Sequence, residues 1–315
     1  SDLIPWHLRV TTERADTVQV LHILSRGLLF FALTSFSLIS SAALTPEEAS
    51  WNQPVMPFRI IGNLYYVGAS DITSYLIATP KGLILLDSGF AETVPQVEAN
   101  IKTLGFKLSD VKILLNSHAH IDHAGGLAEL RRMTHATLEV SAADAALMAR
   151  GGLGDPGYGD RYHYEPTTTD RVLKDGDKVE LGGATMTARL TPGHTPGCTT
   201  WTLQVMEGGK PYDVVFLCSA TAPGYKLVNN PLYPDIAADF TRSFATWKSL
   251  PCDVFLGAHG RYYDLQGKIA RMHKHGSGNP FVDPAGYRAY LDQAEQAFEQ
   301  ELAAQRQAAA SQAKW

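Results

Sequence analysis

Residues 117–126 read Ser117-His118-Ala119-His120-Ile121-Asp122-His123-Ala124-Gly125-Gly126. Three imidazoles and one carboxylate, all metal-ligand types, crowd into this run directly after the apolar stretch 112–115. That stretch is short and β-prone, which predicts a buried strand. Side chains of extended backbone alternate with a period of two, so His118 and His120 point the same way and can grip one ion. Asp122 and His123 follow where the chain turns and can face a second ion. Gly125 and Gly126 relieve backbone crowding before a helix predicted over 126–133.

Two further histidines stand in similar settings. His194 lies in Leu190-Thr191-Pro192-Gly193-His194-Thr195-Pro196-Gly197, and His259 in Phe255-Leu256-Gly257-Ala258-His259-Gly260. Each follows a β-like run, so five histidines and Asp122 can converge on one edge of the sheets. Imidazole and carboxylate suit zinc, which they bind at about 2.0–2.2 Å. Two ions about 3.5–4 Å apart would share a bridging hydroxide. A lone histidine is more often a surface or core residue, so His194 and His259 draw their assignment from the cluster. His7, His22, His135, His163, His273 and His275 lie outside strand-end glycine settings and receive no role.

The chain has 315 residues, a formal net charge of −5, 45% apolar and 19% charged residues. These values exclude wholesale disorder and a multi-span membrane protein. The mild acidity offers nucleic acid no electrostatic footprint. Residues 27–44 read GLLFFALTSFSLISSAAL, preceded by Arg26 and closing on small residues. That is the pattern of a secretory signal. An uncleaved anchor is the alternative, but the apolar core 28–39 is short for a membrane span. We therefore expect a leader over 1–43 and a single domain over 44–315. The expected location is periplasmic or secreted, with no stable membrane partner after cleavage. Three cysteines are too few for a disulfide-built scaffold, but an oxidising compartment would let them pair.

Strands are predicted at 64–67, 74–78, 83–86, 112–115 and 137–140, and again at 179–181, 185–190, 199–205, 214–217 and 254–256. Helices are predicted at 91–104, 142–150, 236–250 and 284–310. Residues 151–166 form a Gly- and Tyr-rich loop. Strands followed by helices, twice over, predict an α/β protein of two packed sheets with helices outside.

At the His-x-His-x-Asp-His run the chain resembles the metallo-β-lactamase superfamily, from about Trp51 to the final helix. The resemblance implies an αβ/βα four-layer sandwich, two packed mixed sheets with a di-metal site on the edge between them. Within that superfamily the chain looks most like the third subclass of class B β-lactamases. His123 stands where the first subclass has Arg. The run Phe216-Leu217-Cys218-Ser219-Ala220-Thr221 resembles the loop where hydroxyls replace a metal ligand. Ala49-Ser50-Trp51-Asn52-Gln53-Pro54 and Arg242-Ser243-Phe244-Ala245-Thr246 recur there in similar form.

Carried onto this sequence, the resemblance implies that His118, His120 and His194 bind a first Zn2+, and Asp122, His123 and His259 a second. Ser219 and Thr221 would hold the substrate carboxylate, although the family more often has Ser at the latter position. Trp51 and loop 151–166 would flank the cleft; a packing or surface-loop role suits them equally. Asp87, in Leu85-Leu86-Asp87-Ser88-Gly89, resembles an Asp that orients a ligand histidine, and also reads as a plain turn residue. Relatives often pair a Cys at the place of Cys252 with one in the final helix. Tyr287 stands at the matching position here, so that bridge should be missing. Cys198 and Cys218 could pair instead. Cys218 also neighbours the place of a zinc-binding Cys in the first subclass, a role that His123 leaves redundant.

The implied activity is zinc-dependent hydrolysis of the β-lactam amide of penicillins, cephalosporins and carbapenems by a monomer. The bridging hydroxide would attack the carbonyl, the zinc ions would stabilise the developing charges, and Asp122 would help to orient the nucleophile. Two other readings stay open. One is a thioesterase or lactonase of the same fold, which resembles this chain less, because Cys218-Ser219 stands where those enzymes have a metal-bridging Asp. The other is a secreted zinc-binding protein without turnover.

Overall fold

A computed structural model of the chain describes residues 44–272 and 278–312. The expected leader over 1–43, with His7 and His22, lies outside the described residues, as do His273 and His275. A capping box opens α1 (Pro46–Trp51): the Thr45 hydroxyl accepts from Glu48 N, and the Glu48 carboxylate accepts from Thr45 N.

Seven strands form the first sheet in chain order: β1 (Phe58–Ile61), β2 (Leu64–Tyr66), β3 (Tyr75–Thr79), β4 (Gly82–Leu86), β5 (Val111–Leu115), β6 (Thr137–Ser141) and β7 (Arg171–Leu173). The first four run antiparallel. From β4 to β7 the pairing is parallel, so each return needs a crossover. These are α2 (Val94–Thr103), then α3 (Ile121–Ala124) with α4 (Leu127–Thr134), then α5 (Ala142–Met148). The second sheet has the order β12-β11-β10-β9-β8, built from β8 (Lys178–Leu181), β9 (Ala184–Leu190), β10 (Thr199–Glu207), β11 (Lys210–Leu217) and β12 (Val254–Gly257). Only β11 and β12 are parallel in it, joined through α6 (Ile236–Ser249). The chain continues through α7 (Leu265–Met272) to the long α8 (Pro284–Gln312).

The two-residue period of β4 shows how the layers form. Ile84 and Leu86 face the second sheet and pack with Trp201, Leu203 and Val214. Leu83 and Leu85 face the other way, onto Val94, Val97 and Ile101 of α2. Phe240, Phe244 and Trp247 of α6 cover the outside of the second sheet, with Leu291 and Phe298 of α8. Burying each of these large side chains contributes ~1.5–3 kcal/mol. The result is the αβ/βα four-layer sandwich.

The structure departs from the sequence expectations in small ways. The helix predicted at 91–104 opens with a 3-10 turn, Ala91–Thr93, because Pro95 offers no N–H to an α-helical bond there. Three short elements, β1, β7 and α1, are additions, as is α7. Cys198 and Cys218 form a disulfide, which removes Cys218 as a metal ligand; Cys252 is a half-buried free thiol. No helix among the described residues is long and apolar enough to cross a membrane.

Candidate metal centre

The site lies where strands end. Because β4 and β5 are parallel neighbours, the residues after both emerge at the same sheet edge. Asp87, just after β4, adopts φ +62°, which a short polar side chain tolerates. Its Oδ1 accepts from Ser117 N at 2.6 Å and Asn116 Nδ2 at 2.8 Å, and so ties down the chain leaving β5. The backbone then runs to His120, still extended at φ −78°, ψ 156°, and α3 begins. His194 occupies the turn between β9 and β10, and His259 follows β12.

His118, His120 and His194 come together, each with a ligand nitrogen within 4.8 Å of the others. Their outward contacts decide which nitrogen is free. His194 Nδ1 donates to the Thr221 carbonyl at 2.7 Å, leaving Nε2 for an ion. His120 Nε2 lies 3.2 Å from the Asp155 carboxylate, leaving Nδ1. His118 Nδ1 contacts the Ser117 hydroxyl at 3.0 Å, and its Nε2 is buried without a hydrogen-bond partner. A buried orphan nitrogen of this kind is costly unless something binds it.

A second triad adjoins the first. Asp122 Oδ2 is 3.3 Å from His123 Nε2 and 3.4 Å from His259 Nε2, and the two nitrogens are 3.3 Å apart. Donors bound tetrahedrally at ~2.0–2.1 Å stand about 3.3–3.4 Å from one another, the spacing of this second triad. The first triad gathers its nitrogens within 4.8 Å, around the orphaned Nε2 of His118. Behind the ligands, Asp71 Oδ2 holds His259 Nδ1 at 3.0 Å, and Asp87 Oδ2 lies 3.6 Å from His123 Nδ1. The hydrogen bond to Asp71 fixes the His259 ring and raises its basicity, while Asp87 acts on His123 by proximity alone.

Electrostatics differ between the triads. Burial, reinforced by the neighbouring imidazoles, pushes His118 and His194 well below the usual histidine range. They are neutral, as metal ligands must be. Burial also opposes a charge on His123, but Asp122 overrides it by proximity and hydrogen bond, with help from Asp87, and raises His123 to about 10. Burial works against an ionised Asp122 too, yet His123 and His259 hold it well below the carboxylate range.

A cavity of about 1380 Å³ opens over both triads, lined by Trp51, Asp122, Tyr158, Tyr162, Thr221 and Arg261 among others. Trp51 meets His259 edge-on at 5.8 Å, with the Arg261 guanidinium 4.6 Å above its ring. Thr221 is half-buried at the wall. Ser219 is fully buried, its hydroxyl 3.0 Å from both Thr221 Oγ1 and Tyr262 Oη, and it does not line the cavity. Loop 151–166 delivers Tyr158 to 5.0 Å from His120, while Tyr225 stacks on His194 at 5.6 Å. His135 and His163 are exposed and far from any ligand role. Asp71 and Tyr225 had no sequence signature as site residues, while Asp155, Tyr158 and Tyr162 lie inside the Gly- and Tyr-rich loop expected at the cleft.

A family model described as the metallo-β-lactamase superfamily matches residues 67–207. The FEZ-1 metallo-β-lactamase of Legionella gormanii is 47% identical with a TM-score of 0.79, covering 81% of this chain and 98% of that one. The chain belongs to the metallo-β-lactamase superfamily. Its similarity extends to BJP-1, a subclass B3 metallo-β-lactamase of Bradyrhizobium japonicum, at 39% identity and TM-score 0.77, covering 82% and 97% of the two chains. Among curated proteins, the lactamase-like protein adaB of Aspergillus niger is 27% identical, over 73% of this chain and 62% of that one. The chain spans between 32% and 62% of the length of the curated relatives it matches. A His-rich metal site of the metallo-β-lactamase type is thus present on a metallo-β-lactamase fold.

Proposed function

We propose that this protein hydrolyses the amide of β-lactams, penicillins, cephalosporins and carbapenems among them, with two zinc ions. The first would be held by His118, His120 and His194, the second by Asp122, His123 and His259. The observation that carries this reading is the pair of adjoining donor triads at the floor of one open cavity. The subclass B3 relative and FEZ-1 supply the substrate class. When bound, zinc supplies Lewis acidity and a hydroxide nucleophile at neutral pH, since it lowers the pKa of water to ~7.

The chain's own residues do the rest. The Thr221 hydroxyl on the wall can bind the substrate carboxylate, and Ser219 orients that hydroxyl from behind through its 3.0 Å contact. Trp51 and Tyr158 supply apolar walls that exclude water around the scissile bond. Asp122 fixes one side of the second triad and, in contact with both histidines, is placed to orient the attacking group. Export to the periplasm or medium, as a monomer, belongs to the same proposal and agrees with a protein that closes a disulfide.

The test is hydrolysis of nitrocefin and imipenem by the purified chain. Turnover should vanish with EDTA and return with zinc. A zinc-loaded protein that cleaves thioesters or lactones but no β-lactam would overturn the assignment in favour of another hydrolase of this fold.

A further inference from the structure

Loop 151–166 is built around one aspartate. Asp155 N donates to Gly159 O at 3.0 Å, and Gly159 N donates back to Asp155 O at 2.8 Å. Inside that closed turn, Asp155 Oδ1 accepts from Gly157 N and Tyr158 N, both at 2.7 Å. Gly159 adopts φ +64°, which closes the turn. Gly157 must lack a side chain, because a Cβ would lie 2.5 Å from the Tyr225 ring. One carboxylate oxygen is therefore spent on the loop itself. The other oxygen, buried Oδ2, makes no hydrogen bond within the loop and lies 3.2 Å from His120 Nε2, itself buried without another partner. The same turn brings the Tyr158 ring to 5.0 Å from that imidazole, tilted by 58°.

We infer that Asp155 is a positioning residue for the first metal site: it fixes the tautomer and pose of His120, so that Nδ1 presents a lone pair to the ion. This rests on the metal reading of the triad but not on the substrate. An ionised carboxylate can only accept, so a small turn of either group closes an Nε2–H···Oδ2 bond and selects the tautomer whose Nδ1 is bare. No other group within the described contacts of His120 enforces that choice. The loop that lines the cleft is thereby tied to a ligand of the first ion.

Asp155→Asn separates loop integrity from tautomer control. Its amide oxygen can still cap the turn, while its NH2 would donate to Nε2 and drive His120 to the Nδ1–H form, which cannot bind metal. Two measurements on the full chain decide the matter. Long-range 1H–15N spectra of the metal-free wild type, with His120 assigned through His120→Ala, should show the Nε2–H tautomer; the Nδ1–H tautomer there would overturn the inference whether or not any variant folds. Zinc titration against a chromophoric chelator, in a His123→Ala background that leaves the first site, should show Asp155→Asn losing ~10–100-fold in affinity. A folded Asp155→Asn protein that binds both ions with wild-type affinity would refute it. Neither readout depends on β-lactam turnover, so failure of the substrate assignment would leave this result distinct.

Discussion

At the scale of single residues, the two triads differ in what they hold before metal arrives. His118 and His194 are already neutral, whereas His123 carries a proton stabilised by Asp122 and Asp87. Zinc binds only the neutral imidazole, so filling the second site must expel that proton. Affinity there should climb as pH rises from 6 to 8, by up to about tenfold per unit, while the first site changes less. Calorimetric titrations in buffers of different ionisation enthalpy would count the released proton; its absence would contradict the raised pKa. His123→Ala should lower bound zinc from about two ions per chain towards one, with activity falling alongside, as measured by metal analysis of the dialysed protein. Full metal content and unchanged turnover would remove His123 from the site. His118, His120, Asp122 and His123 were legible because their spacing is local, two positions on extended chain and then a turn; His194 drew its assignment from that cluster. Asp71 and Asp155 were not, because each meets its histidine across 188 and 35 residues of sequence, and no local pattern encodes such a meeting.

At the scale of elements, the turn between β9 and β10 sets His194, and Gly193 makes that turn possible. Gly193 sits at φ +142°, and a Cβ there would come within 2.7 Å of the Phe240 ring. Phe240 belongs to α6 and is fully buried between sheet and α8, so it cannot yield. Gly193→Ala should therefore cost ~1–3 kcal/mol in urea unfolding and weaken zinc retention through the displaced His194. A variant with unchanged midpoint and metal content would show the turn to be slack. The main strands and helices were readable from apolar periodicity, as β4 and α6 illustrate. β7 was not: it has three residues, and Arg171 and Val172 are exposed, so its pairing with β6 leaves no hydrophobic trace. α1 was missed although Thr45-Pro46-Glu47-Glu48 carries a capping box, because six residues with none buried give no periodic signal.

At the scale of the whole molecule, the Cys198–Cys218 bridge spans 20 residues and joins the start of β10 to the end of β11 beside the metal cluster. A closed loop of that size stabilises a fold by ~3 kcal/mol. Replacing both cysteines by serine, or reducing the wild type, should lower the urea-derived stability by about that amount; an unchanged midpoint would make the bridge decorative. Two packed sheets, and a cleft flanked by Trp51 and loop 151–166, were within reach of the sequence and its resemblance; the wall that α8 adds was not, since that helix lies far along the chain and was read only as an apolar face. At about 1380 Å³ it exceeds the ~300–1,000 Å³ typical of small-molecule pockets. A vestibule so wide sieves its visitors poorly. Bulk alone is a weak barrier to entry, so selection among visitors falls to the few polar groups on the wall, Thr221 and Arg261 among them.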